Sequence, residues 1–153
     1  MLEVLSNLKS ISMVDTFGTY IAIKPTDTTL SNLAQWAKNA GIELDDDLHV
    51  TLLYSRREIS PKLYDGEYVV RPKKIQSLGP ASVVLTLDAN CLIERHEEFI
   101  SMGATHDFES YIPHLTLKFE GGDPTTIPPI DFFLTFAAEE AESLDDTRTD
   151  TLE

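Results

Sequence analysis

Two short segments of this chain carry the same pattern. Leu48 to Ser55 reads LHVTLLYS, and Tyr111 to Phe119 reads YIPHLTLKF. Each is apolar enough for a buried strand, yet each holds a histidine and a threonine two residues apart. Side chains alternate between the faces of a strand, so such a pair shares a face. Strict alternation puts His49, Thr51 and Leu53 together, opposite Leu48, Val50, Leu52 and Tyr54. It puts His114, Thr116 and Lys118 together, opposite Leu115, Leu117 and Phe119. A polar face buried without partners is costly, so the pattern calls for a groove filled by water or a ligand.

The surroundings repeat as well. His49 and His114 lie 65 residues apart, as do Thr51 and Thr116. Ahead of the first motif, Gly18 to Lys24 reads as a strand ended by Pro25. Thr28 to Ala40 reads as a helix, with Leu30, Leu33, Ala34 and Ala37 at helical spacing and Gly41 as the stop. Beyond the motif, a polar loop with Pro61 and Asp65-Gly66 leads to an extended stretch, Tyr68 to Leu78. Pro72 confines that stretch to an edge or a bulge. After a turn at Gly79-Pro80 the order starts again: strand Val83 to Leu87, then helix Cys91 to Met102, capped by Asn90 and stopped by Gly103. The second motif strand follows, then a turn at Gly121 to Pro124 and a last strand, Asp131 to Ala138. The same offset of 65 aligns Tyr20–Lys24 with Leu85–Ala89. Two copies related by a pseudo-twofold axis would face their motifs into one cleft.

Charge narrows the partners. The 153 residues hold 12 basic and 26 acidic side chains, a net charge of −14. A binder of long nucleic acid is ordinarily basic, whereas a small anion needs only a locally favourable pocket. Residues 137–153 hold seven acids and one base, so the acidity is concentrated in a tail, 139–153, expected to be mobile. No stretch approaches the ~20 apolar residues of a membrane helix, so no membrane partner is expected. The segment Met1 to Ser12 lacks the features of a secretory signal. The single cysteine, Cys91, allows no internal disulfide and is expected to be buried and inert. A cytoplasmic location follows from these features. Asp45-Asp46-Asp47 reads as a solvated turn rather than a metal site, because adjacent carboxylates alternate in direction. His96 reads as a helix-boundary residue and His106 as a loop histidine.

Two histidines across a phosphate can supply a base for a nucleophile and an acid for a leaving oxygen. Two threonine hydroxyls can hold the non-bridging oxygens, and Lys118 can offset developing charge. Such a set suits phosphodiester cleavage beside a ribose 2′-hydroxyl. Tyr20 is a candidate surface for stacking a base, against the alternative of a core tyrosine. Arg56, Arg57, Arg71, Lys73 and Lys74 could hold phosphates or form a solvated face.

With HVT in one strand and HLT in the other, the chain resembles the two-histidine phosphoesterases over residues 18–138. It resembles more narrowly the phage anti-CBASS nucleases, which degrade cyclic oligonucleotide messengers of bacterial immunity without a metal. The resemblance implies an α+β, bilobal, pseudosymmetric fold. Two antiparallel-rich sheets would flank a central cleft with helices outside. A single domain would span 1–138, with repeats over about 18–78 and 83–138. It implies a metal-independent phosphodiesterase without cofactor, with His49, Thr51, His114 and Thr116 as its catalytic residues. Cleavage of a 3′–5′ linkage would pass through a 2′,3′-cyclic phosphate. In that family a C-terminal segment closes over the ligand, so the acidic tail reads either as such a lid, with Glu142, shortly beyond the last strand, accepting from a base amine, or as a solubilising tail. Two alternatives stand beside this reading: a phosphodiesterase of RNA ends or 2′,3′-cyclic phosphates, and a non-catalytic cyclic-nucleotide sponge.

Overall fold

The structure is a computed structural model and describes residues 18–79, 82–106, 110–118 and 123–144. The first helix, α1 (Asp27–Ala40), follows β1 (Thr19–Ile23). It starts where the Thr26 hydroxyl accepts from the Thr29 N–H, and ends where Gly41, at φ 73°, returns its N–H to the Ala37 and Lys38 carbonyls. Strands β2 (Val50–Ser55), β3 (Tyr68–Leu78) and β4 (Ser82–Asp88) come next. The second helix, α2 (Asn90–Ser101), begins one residue early: Ala89 takes the cap position without a side-chain bond, so Asn90 is helical and not the cap. Its inward stripe is Leu92, His96 and Phe99. That stripe turns Cys91 outward, and the thiol expected to be buried is exposed.

The remaining strands are β5 (His114–Lys118), β6 (Leu134–Phe136) and β7 (Glu140–Ser143), with a 3-10 turn at Pro124–Thr126. β6 is shorter than the Asp131–Ala138 strand expected, because its partner in β3 reaches only from Tyr68 to Val70. Pro80, Phe119, Gly121 and Gly122 lie outside the described residues, as do Met1 to Ser12 and the tail from residue 145.

All strand pairings are antiparallel, in the order β6-β3-β4-β5-β2-β1-β7. The expected two sheets are therefore two arms of one sheet. Those arms, β7-β1-β2 and β5-β4-β3-β6, meet through a single residue pair, Val50 opposite Leu115. The sheet also curls: Pro25 bridges Phe136, and the Ala137 N–H donates to the Lys24 carbonyl at 2.7 Å. Pro72 sits where β3 borders only β4 among the described strands, beside a register shift, as its missing N–H requires.

Both helices contribute to one core, with Leu33 from α1 and Leu92 and Phe99 from α2 packed in the cluster that holds Ile21, Val50, Leu85, Leu115 and Leu117. A second, small cluster of Tyr20, Ala22 and Leu144, with Tyr54 against it, forms separately. Gly18 is required at the start of β1: at φ 141° any Cβ would run into the Ser55 carbonyl oxygen.

The acidic segment is not simply a solvated tail. Residues Glu140–Ser143 form β7 along β1, and Glu139 is buried, 5% exposed. Its carboxylate accepts from Arg95 Nε at 2.8 Å and Nη2 at 2.9 Å, the Tyr68 hydroxyl at 2.6 Å and the Tyr64 N–H at 2.9 Å. Burial raises the pKa of this carboxyl, but the bonds from Arg95, Tyr64 and Tyr68 outweigh it and hold the group below its usual range. Removing one partner of a buried pair strands the other charge, so Glu139→Ala should lower unfolding free energy by about 3 kcal/mol. The urea midpoint measures this, and an unchanged midpoint would refute it.

Candidate active site

The two motif strands share a distortion. In the β1–β2 ladder, Ile21 opposes Leu53 and Ala22 opposes Thr51, so Leu52 has no partner in β1. In the β4–β5 ladder, Val83 opposes Lys118 and Val84 opposes Thr116, so Leu117 has none in β4. Both bulges fall one residue beyond the threonine. The corresponding residues of β1 and β4, Ala22 and Val84, are 62 apart rather than 65. The second motif has three more residues between its paired strands, so the uniform offset of 65 does not hold in the ladders.

A bulge interrupts the two-residue period. Leu52 and Leu53 are both buried in the main core, at 0% and 1% exposure, and Tyr54 joins the cluster of Tyr20 and Leu144. The expected face of His49, Thr51 and Leu53 is thus corrected: Leu53 leaves it. Burying a leucine contributes about 2 kcal/mol, against about 1 kcal/mol for one ladder hydrogen bond, so the distortion is favourable. In β5, exposure does alternate: His114, Thr116 and Lys118 are half-buried between Leu115 and Leu117, which are fully buried.

Val50 opposite Leu115 sets the site. Continued by one residue, this antiparallel register puts His49 across from Thr116 and Thr51 across from His114. In that register each histidine faces toward the other motif's threonine. Both rings are oriented alike: Nδ1–H of His49 donates to the Asp47 carbonyl at 3.0 Å, and Nδ1–H of His114 donates to the Ile112 carbonyl at 2.7 Å. A carbonyl only accepts, so Nδ1 carries the proton and Nε2 is left for proton transfer.

The environments then differ. Burial lowers the pKa of His114, opposed by the Ile112 bond and aided by the charge of His49. His49 instead has an Asp47 carboxylate oxygen 3.8 Å from Nδ1, and Lys24 Nζ lies 3.8 Å from the same carboxylate. Asp47 therefore belongs beside the first histidine rather than only to a solvated turn.

Tyr20 is 5% exposed. Its hydroxyl bonds Thr51 Oγ1 at 3.2 Å, and its ring lies edge-on to His49 with centroids 6.3 Å apart. Tyr20 thus braces the first motif, and its burial leaves little surface for stacking a base. Glu142 opposes Tyr20 across the β1–β7 ladder and is exposed.

Two groups were not assigned to the site from sequence. His96 lies within α2, as the helical run implies, and is buried, 4% exposed, with Nδ1–H donating to the Leu52 carbonyl at 2.7 Å. Tyr111 stacks on it, with ring centroids 4.2 Å apart and planes 8° apart, and donates its hydroxyl to the Thr51 carbonyl at 2.7 Å. His106 packs edge-on to His96 at 4.6 Å rather than lying in solvent. The Leu92–His96–Phe99 spacing was a readable sign that His96 faces inward; nothing marked Tyr111.

Burial lowers the pKa of His96 as well, against the Leu52 bond. A histidine held neutral in the fold but free to protonate when unfolded costs stability as pH falls from above 6.5 toward its folded value. With His96 and His114 both shifted down, the urea midpoint should be lower at pH 5.5 than at pH 7.5. His96→Asn should flatten that dependence, and an unaltered slope would refute the assignment.

With the geometry established, comparisons with known proteins give a consistent result. The family model described as anti-CBASS protein Acb1 matches residues 17–151. The anti-CBASS protein Acb1 of Vibrio phage KVP40 is 33% identical over 120 residues, covering 74% of this chain and 80% of that protein. Its counterpart from Escherichia phage RB16 is 29% identical over 148 residues, covering 86% and 83%. That of Enterobacteria phage T4 is 30% identical over 112 residues, covering 69% and 74%.

Proposed function

Because the chain belongs to the anti-CBASS protein Acb1 family, we propose that it counteracts CBASS defence as a phosphodiesterase that cleaves 3′–5′ linkages of cyclic di- or trinucleotide messengers. The observation that carries this reading is the crossed pairing at Val50–Leu115, with two histidines whose Nδ1 atoms are tied to carbonyls in the same way. A sponge needs no matched acid–base pair.

In this mechanism the ribose 2′-hydroxyl attacks the adjacent phosphorus. One histidine takes the hydroxyl proton at Nε2 and the other gives a proton to the departing 5′-oxygen. The products are a 2′,3′-cyclic phosphate and a free 5′-hydroxyl. Thr51 and Thr116 bind the non-bridging oxygens, and Lys118, on the same strand face as Thr116, offsets the charge that develops there. Tyr20 holds Thr51, and Glu142 accepts from an exocyclic base amine. No step calls for a metal.

The two environments suit different roles. His114 resists protonation through burial, which suits the base. His49, with an Asp47 carboxylate oxygen 3.8 Å from Nδ1, takes the role of the acid. A substrate with sulfur in place of the bridging 5′-oxygen tests this, because a thiolate leaves without a proton. His49→Ala should lose at least a hundredfold in kcat/KM on the natural linkage and recover most of it on the sulfur analogue. His114→Ala should recover nothing. Rescue of His114→Ala instead would reverse the assignment.

The function itself is tested by chromatography of cyclic dinucleotides and trinucleotides incubated with the protein in excess chelator. A linear product is expected, and none from an analogue with 2′-deoxyribose at the cleaved linkage. Cleavage of RNA ends alone would move the substrate class. Intact ligand recovered from the denatured complex would mean binding without catalysis.

A further inference from the structure

The motif strands pair only at Val50–Leu115, so beyond that point their facing edges have no strand between them among the described residues. Three carbonyls near these edges are nevertheless satisfied. Thr51 O accepts from the Tyr111 hydroxyl at 2.7 Å, Leu52 O from His96 Nδ1–H at 2.7 Å, and Leu117 O from the Asp45 N–H at 2.9 Å. Leu52 and Leu117 are the two bulge residues. The arrangement is crossed. Tyr111 lies three residues before His114 but holds the strand of His49. Asp45 lies four residues before His49 but holds the strand of His114.

We infer that Tyr111, backed by His96, is a positioning residue for the reaction, holding the first motif strand so that Thr51 and His49 meet the phosphate in register with the second. The inference rests on the phosphodiester reading of the site. Neither ring needs to touch substrate. Burial raises the pKa of the Tyr111 hydroxyl, which keeps its donor proton in place, and the stack on His96 fixes the ring. A loss of hold displaces Thr51 by its own backbone, and small displacements at a reacting centre are expensive in rate.

Tyr111→Phe removes the one hydrogen bond and keeps the stack. It should lower kcat about tenfold with KM within twofold of wild type, in a protein that still unfolds cooperatively in urea at a somewhat lower midpoint. The discriminating measurement is the same substitution in two backgrounds. In Thr51→Ala its cost should shrink, because one of the two groups it positions is gone. In Thr116→Ala the tenfold cost should persist. Equal costs in both backgrounds, or wild-type kcat in Tyr111→Phe alone, would overturn the inference. A companion pair, His96→Asn and His96→Leu, asks whether a donor to Leu52 O matters: the asparagine should retain more turnover, and parity would count against His96. Should the wild-type protein cleave no cyclic oligonucleotide, the phosphodiester reading fails. Side-chain NMR of Tyr111→Phe then decides the positioning separately. Shifts at Thr51 and His49 larger than those at Thr116 and His114 support it, and equal shifts refute it.

Discussion

One pair of apolar residues, Val50 against Leu115, joins the two arms of the sheet. Both are fully buried, so the junction is held by the same core that α1 and α2 cover. Because the strands meet at one pair and then part, polar groups on both sides of the junction are brought together without a continuous ladder between them. Antiparallel direction does the rest: continued past the pair, the register sets each histidine across from the other motif's threonine.

The parting strands create a difficulty that the fold resolves with side chains. Backbone carbonyls left out of a ladder must find donors, and here they find His96, Tyr111 and the Asp45 N–H. The bulges at Leu52 and Leu117 are the complementary feature. At Leu52 the bulge buries Leu53 as well, so the polar stretch of that strand is kept short, whereas in β5 the alternation continues to Lys118. The Arg95–Glu139 pair serves a separate purpose. It fixes the chain just before β7, and β7 in turn sets Glu142 across from Tyr20.

Most of the elements were legible in the sequence. α1 followed from helical spacing and the Gly41 stop, although Leu30 and Ala34 of that spacing are exposed and Thr29 is buried beside Leu33 and Ala37, and the Pro72 distortion followed from proline chemistry. The errors have physical causes. Asn90 resembles a cap, but the helix is placed by packing of Leu92, His96 and Phe99, and packing overrides capping preference. The acidic run at 139–153 looked like a solvated tail because composition averages over residues. Of the described acids in that run only Glu139 is buried, since a guanidinium from α2 and a phenol from β3 converge on it, and no local pattern announces partners 44 and 71 positions away.

The sequence by itself determined that two strands each carry a histidine and a threonine on an apolar background, and that these motifs belong together. Periodicity and duplication are local properties, and they survive in one dimension. The tertiary structure decided the rest: which threonine stands beside which histidine, where Leu53 and Tyr54 turn, and which residues hold the unpaired carbonyls. Each of these depends on register, and register is set by which buried surfaces fit together. Moving a strand by one residue exchanges every side chain between core and cleft, yet leaves the sequence pattern as it was.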